Sequence, residues 1–273
     1  LFFSTHNPPS AMLRSLVGSE MCIRDSLNKG DADHASIAAA SIKLLNYADI
    51  DPLVLDMNVF KCSGHDQLWQ GNLEVYDALK EHNMRLLKES GIKILTCSCA
   101  ECYRTFAVDY DLPNTLGIKV EHITQTLQGR GLKFKAPENV TVSYHDPCRL
   151  GRMMGEYEAP RDLIQLVDGA TMVELENNKE RALCCGVSSM MYCNDATKAV
   201  RRKRLDQGTD AGIDIMLGGC PKCYMHMQCM LNEERMNPEE GHHHDYEMMD
   251  LMQFLVVSIL NLYHVTITQL QNS

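Results

Sequence analysis

Gly212-Ile213-Asp214-Ile215-Met216-Leu217-Gly218-Gly219-Cys220-Pro221-Lys222-Cys223-Tyr224 is the stretch that decides the fold. A glycine opens a short apolar run, the run ends in a Cys-x-x-Cys turn, and a helical pattern follows. That order reads as strand, ligand-bearing turn, helix. The same order stands earlier in the chain as Gly91-Ile92-Lys93-Ile94-Leu95-Thr96-Cys97-Ser98-Cys99-Ala100-Glu101-Cys102-Tyr103. Cys99 and Cys220 are 121 positions apart, and Cys62 and Cys185 are 123 apart. Agreement in spacing, residue type and expected element points to a tandem duplication of about 120 residues.

Working outward, the sequence alternates strand and helix patterns in both halves. In the first half, helices are expected over residues 34–47 and 72–90, the latter closed by Gly91 as C-cap. Strands are expected over 52–56, 92–96 and 117–120, with helices after Cys102 and over 121–128. Residues 129–139, polar and containing Gly and Pro, read as a linker between halves. In the second half, strands are expected over 140–144, 171–175 and 213–217, and helices over 159–167 and 195–207. The expected fold is therefore α/β, two tandem repeats, each a small parallel sheet covered by helices. Ligands in such folds gather beyond the carboxyl ends of the strands, where every cysteine loop falls.

The expected boundaries are a first repeat over 27–132, a second over 139–260, and a tail over 261–273. Residues 1–26 show neither helical nor strand periodicity, and 15–26 resemble a spurious translation found at the ends of environmental sequence assemblies. They are expected to be a non-native or disordered leader, with Cys22 carrying no function. They do not read as a signal peptide, having no basic start followed by an apolar core.

Bulk composition limits the possibilities. The 273 residues are 45% hydrophobic and 23% charged, enough to bury a real core. A net charge of -10 argues against nucleic acid or an anionic membrane surface as the main partner. The longest apolar run, 251–260, falls short of the ~20 residues a membrane span needs and reads as a core-facing helix, so no transmembrane segment is expected. Twelve cysteines spread along a chain rich in helix formers favour metal ligation in a reducing compartment over disulfides.

The second repeat carries five cysteines at its loops: Cys148 in His145-Asp146-Pro147-Cys148, the adjacent Cys184-Cys185 before Gly186, and Cys220 with Cys223. Four thiolates satisfy zinc, whereas a fifth ligand and an adjacent pair favour an iron–sulfur centre. The first repeat is poorer. Cys62 stands in the Cys-Cys-Gly slot with Lys61 as its neighbour and Ser63 intervening before Gly64, and Cys99 and Cys102 supply the Cys-x-x-Cys, with Cys97 nearby. No counterpart of Cys148 is found. That set could bind zinc or a depleted cluster, or be a vestige. His145 and Asp146 could relay a proton, although a turn that positions Cys148 is the favoured reading. Lys222 is either a donor to an anionic substrate or to cluster sulfides, or a solvated side chain. The basic run Lys198, Arg201, Arg202, Lys203 and Arg204 reads as a solvated helix face, Cys193 and Cys229 as non-ligands, and His242-His243-His244 as at most an adventitious metal trap.

These residues resemble the cysteine-rich (Cys-Cys-Gly) domain family, which includes the B- and D-type subunits of heterodisulfide reductase and the iron–sulfur subunits of glycolate, lactate and glycerol-3-phosphate oxidising systems. The resemblance covers about residues 33–260. His145 through Arg152, Ala159-Pro160-Arg161 and Cys99 through Thr105 look closest to the D type. The resemblance implies a non-cubane 4Fe-4S cluster held by Cys148, Cys184, Cys185, Cys220 and Cys223, at which a small-molecule disulfide or other redox substrate is reduced. The cluster itself would be the catalytic group. A second cluster or zinc at Cys62, Cys99 and Cys102 is put in doubt by Lys61 and the missing upstream cysteine. D-type proteins also carry an N-terminal ferredoxin-like region that nothing here matches, so this chain is expected to be part of a longer protein. Electrons would come from a ferredoxin-like or flavoprotein partner subunit. The expected location is cytoplasmic, or at a membrane face through that partner. The alternative is a non-catalytic iron–sulfur relay subunit of a flavin-dependent glycolate, lactate or glycerol-3-phosphate dehydrogenase, and a zinc-stabilised scaffold is a third reading.

Overall fold

The computed structural model describes residues 14–17, 32–54, 59–187, 194–240 and 243–259. Among these residues, eight strands form two four-stranded sheets, and every pairing within them is parallel. The first half runs β1 (Arg14–Val17), α1 (Ala32–Tyr47), β2 (Leu53–Val54), α2 (His65–Gln70), α3 (Leu73–Ser90), β3 (Ile94–Cys97), α4 (Ala100–Arg104), α5 (Leu112–Thr115), β4 (Lys119–His122) and α6 (Ile123–Leu127). The second runs β5 (Phe134–His145), α7 (Gly151–Met154), α8 (Glu158–Gln165), β6 (Val167–Met172), α9 (Asp195–Asp210), β7 (Ile215–Gly218), α10 (Pro221–Met236), β8 (Glu247–Asp250) and α11 (Leu251–Val257). Sheet order is β2-β1-β3-β4 in one half and β6-β5-β7-β8 in the other, the same topology twice.

The registers carry the correspondence to single residues. Val17 pairs with Cys97 and Cys97 with His122; His145 pairs with Gly218 and Gly218 with Asp250. These rows are the carboxyl ends of the two sheets, and the cysteine loops leave from them. The last row ends in matched helix starts. His122 caps α6 with Gln125 reaching back, and Asp250 caps α11 with Gln253 reaching back. A capping box at each place satisfies two backbone donors at once and fixes the strand-to-helix turn.

Four stretches differ from the sequence expectation, one of them β6, which begins at Val167 inside an expected helix and ends at Met172 where a strand is expected over 171–175. Arg14–Val17, within the expected leader, carries the strand between β2 and β3. The rest of 1–31, including Cys22, lies outside the described residues. The expected linker is half strand: β5 begins at Phe134, pairs with Val167, and shifts register between Lys135 and Val140. Phe134 and Ala136 alternate inward there, so a period of two holds through a stretch whose Pro137, Glu138 and Asn139 read as loop. β8 is hidden in the sequence because Glu247-Met248-Met249-Asp250 offers only two apolar residues between carboxylates.

The core is continuous across the halves. One buried cluster joins Phe106, Tyr110, Cys99 and Cys102 to Cys185, Cys220, Cys223 and Met227. A second seats Leu44 and Leu45 of α1 against Leu251, Phe254 and Leu255 of α11.

Candidate metal centre

Both Cys-x-x-Cys turns sit at helix starts. Cys220 is the N-cap of α10, Pro221 opens the helix with its φ already set, and Cys223 falls in the first turn. Cys99 caps α4 in the same way. A sulfur at such a position is favoured as thiolate by the unpaired N–H groups of the first turn.

The Cys62-Ser63-Gly64 and Cys184-Cys185-Gly186 loops correspond one residue away from the expected match of Cys62 with Cys185. Gly64 and Gly186 both lie in the left-handed region, at φ 76 and 84. The Gly64 N–H donates to Cys62 Sγ at 3.5 Å, and the Gly186 N–H donates to Cys184 Sγ at 3.3 Å. Cys62 therefore matches Cys184, not Cys185. Ser63 takes the place of Cys185: its Oγ lies 3.5 Å from Cys102 Sγ, as Cys185 contacts Cys223. The residue exchanged in the first half is the second cysteine, for serine, and Lys61 stands outside the pair. The glycine is required by space as well as by φ, since a Cβ at Gly186 would lie 2.7 Å from the Thr197 carbonyl oxygen.

Of the five second-half cysteines, Cys185, Cys220 and Cys223 are buried and Cys148 and Cys184 half-buried, and their side chains neighbour one another. Cys185 contacts Cys184 and Cys223, and Cys223 contacts Cys220. Cys148 feels the charges of Cys220 and Cys184. Cys99 of the first half contacts Cys220, so the two Cys-x-x-Cys turns meet. Hydrogen bonds from Cys102 and Cys220 hold the Cys99 thiol down at about 5 against its burial. Cys185 is pushed well up by its contact with Cys184 and by burial, and Cys223 by its contacts with Cys185 and Cys220 and by burial. At Cys220 the contact with Cys223 works downward, but Cys99 and burial outweigh it. Burial raises Cys148 to about 11. So many crowded thiols cannot all ionise unless a cation lies among them, which is the chemistry of a soft-metal donor set.

The side chains around this group are charged and buried. Asp146 is held by Arg161 through two bonds, of 2.7 and 2.9 Å, and it accepts the Lys179 N–H at 2.8 Å. Arg161 also grips Glu174, at 2.7 and 3.0 Å. Asp146 thus ties the Cys148 loop to Arg161 and to Lys179. His145, 1% exposed, receives the Arg204 Nε–H on Nδ1 at 3.0 Å. Burial, then the Arg204 charge, drives its pKa well below the ordinary histidine value.

One expectation is corrected here, and one of two alternatives falls away. Arg201 and Arg204 are 1% and 0% exposed rather than solvated. Residues three apart on α9 share a face, and this one turns toward the cysteines. Arg201 bonds His226 Nδ1 at 3.0 Å and the Cys185 carbonyl at 3.4 Å. Lys222 is likewise buried, paired with Asp66 and, at 3.0 Å, with Glu101, which occupies the matching position of the first half. Burial alone would raise Glu101, but His65 at 3.2 Å and Lys222 hold its carboxyl at about 2. Burial works against the Lys222 charge, yet Glu101 and Asp66 raise its pKa.

Other candidates fall apart from the group. Cys97 is a strand residue raised by burial alone, and Cys229 is exposed. Cys193 and His242 lie outside the described residues. His244 is buried between Glu234, at 2.6 Å, and Asp206, at 3.1 Å. Among the described residues no helix is long and apolar enough to cross a membrane.

The chain is 32% identical over 199 residues to the D subunit of the dihydromethanophenazine:CoB–CoM heterodisulfide reductase of Methanosarcina barkeri, covering 69% of this chain and 48% of that protein. It is 27% identical to the B subunit of the fumarate reductase (CoM/CoB) of Methanothermobacter marburgensis, covering 71% and 38%. The EtfAB:quinone oxidoreductase of Syntrophomonas wolfei is also 27% identical, covering 71% and 28%. The chain spans about half the length of the heterodisulfide reductase subunits it matches. A cysteine-rich domain model, CCG, matches residues 29–107 and again 142–228, one match for each sheet, and the chain belongs to that family.

Proposed function

We propose that this chain is the iron–sulfur portion of a heterodisulfide reductase-like oxidoreductase. Cys148, Cys184, Cys185, Cys220 and Cys223 hold one 4Fe-4S cluster of the non-cubane type. The observation that supports this best is the convergence of five thiols beside fully buried Arg204 and Arg201. Thiolates suit iron–sulfur ligation, and the positive charge offsets the negative charge such a cluster carries. When bound, the cluster supplies one-electron transfer; a disulfide takes up two electrons and two protons and leaves as two thiols. The chain's own contribution is to bury the sulfurs, to fix the Cys148 loop through Asp146 and Arg161, and to surround the site with cations. With Ser63 in the place of Cys185, the first half offers Cys62, Cys99 and Cys102, a set that could hold zinc or a second, altered cluster. The repeated sheet order and matched loops support descent of the two halves from one duplicated unit. A ferredoxin-like or flavoprotein partner supplies the electrons, and the chain works in the cytoplasm or against a membrane through that partner.

The test is reoxidation. Anaerobically reconstituted protein, reduced by a one-electron donor, should be reoxidised by a small-molecule disulfide at two electrons per disulfide. A Cys185→Ser chain should fail. The similarity to an EtfAB:quinone oxidoreductase favours a second reading, a relay that passes electrons without acting on a disulfide. Co-purification with a flavoprotein, together with no disulfide-driven reoxidation, would decide for the relay.

A further inference from the structure

His145 ends β5, in register with Gly218 two residues before Cys220. One of its ring nitrogens lies within 4.8 Å of the Sγ atoms of Cys185 and Cys223. Nδ1 is taken by Arg204, whose Nε approaches at 3.0 Å. Arginine has donors only, so Nδ1 must be the lone-pair nitrogen and the single ring proton must sit on Nε2. Nε2 is buried and has no hydrogen-bond partner among the described residues. A buried N–H left unpaired is costly, so the arrangement calls for an acceptor beyond those that the described residues provide.

Arg204 is held in turn. Its Nη1 donates to the Asn177 carbonyl at 2.6 Å and to Gln207 Oε1 at 2.8 Å, and Gln207 Nε2 donates to Asn177 Oδ1 at 2.6 Å. Asn177 and Gln207 therefore fix Arg204, and Arg204 fixes which way the imidazole carries its proton. Such relays orient the groups next to a metal centre.

Resting on the iron–sulfur reading above, we propose that His145 donates its Nε2–H to a sulfur of the bound cluster, thiolate or sulfide, with Arg204 as the positioning residue that locks the donor tautomer. A protonated Nε2 cannot at the same time serve as a metal ligand. Reduction adds a negative charge to the cluster, and an N–H donor stabilises that charge more in the reduced state. The bond therefore raises the reduction potential.

The test uses reconstituted chain, with iron and sulfide measured first. His145→Phe should keep the wild-type iron and sulfide content and shift the reduction potential to a more negative value. His145→Gln, whose terminal amide reaches to about where Nε2 lies, should restore most of the shift. Wild-type protein made with ¹⁵N-histidine should show a weak nitrogen coupling to the reduced cluster, absent in His145→Phe; this measurement decides the matter if the phenylalanine variant does not fold. An unchanged potential in iron-replete His145→Phe, no nitrogen coupling in the wild type, or the strong coupling of a directly bonded nitrogen would each overturn the inference. A wild-type chain that takes up no iron would overturn the cluster reading itself, on the iron assay alone.

Discussion

Gly186 is the residue at which the Cys-Cys-Gly motif becomes a steric requirement. At φ 84, with the Thr197 carbonyl 2.7 Å from where a Cβ would lie, it admits no side chain. Gly186→Ala should cost about 2–4 kcal/mol, from left-handed strain and a backbone clash, and should lower iron retention; denaturant unfolding and iron analysis check both. Asp250 makes a pH prediction. Burial raises its carboxyl from 3.8 to about 7, so between those values the folded chain keeps a proton that the unfolded chain has lost. Its contribution to stability is full below about pH 4 and declines as pH rises toward 7. Asp250→Asn keeps an oxygen for the Met252 N–H cap and removes the penalty. It should be more stable than wild type at about pH 8, by up to about 4 kcal/mol, and no more stable at about pH 4; urea midpoints at both pH values measure this. The cysteines are legible in the sequence because thiol spacing survives folding unchanged. Arg201 and Arg204 are not, because five basic residues on one helix read as a solvated face until the path of α9 past Cys185 is known.

At the scale of elements, the strand-to-turn-to-helix units around Cys99 and Cys220 are readable from their glycine start, apolar run and Cys-x-x-Cys. The edge strand β8 and the start of β5 are not, since a parallel pairing rewards backbone geometry even where carboxylates or Pro137 flank the run. The Cys148 loop is tied to α8 and to the segment after β6 through Arg161, which holds Asp146 and Glu174. Arg161→Leu leaves the Asp146 carboxylate buried without its partner and should cost about 3–5 kcal/mol. It should also loosen iron before it unfolds the chain; iron release to a chelator, followed alongside circular dichroism, separates the two. Glu101 and Lys222 join the equivalent first turns of α4 and α10. Lys222→Met should destabilise by a similar ~3–5 kcal/mol, and adding Glu101→Gln and Asp66→Asn should recover part of the loss, because the damage lies in stranded carboxylates rather than in a lost attraction.

For the whole molecule, two sheets of one topology put the carboxyl ends of their strands toward a shared region where Cys99 meets Cys220. The recurrence is visible as an interval in sequence, but pairing Cys62 with Cys185, 123 positions on, reads the register one residue off; Cys62 to Cys184 is 122, nearer the 121 between Cys99 and Cys220. The shared Cys-x-Gly spacing of Cys62-Ser63-Gly64 and Cys184-Cys185-Gly186, and the paired N–H to Sγ contacts of Gly64 and Gly186, both put Ser63 in the second thiol's place. That substitution is the reason to expect a single four-iron cluster, in the second half. The direct test is iron, sulfide and zinc per chain after anaerobic reconstitution, with Cys185→Ser alongside. The wild type should hold about four irons with matching sulfide, and the variant should lose that iron or show an altered paramagnetic signal. Zinc without iron, in a folded chain, would contradict a cluster at these cysteines.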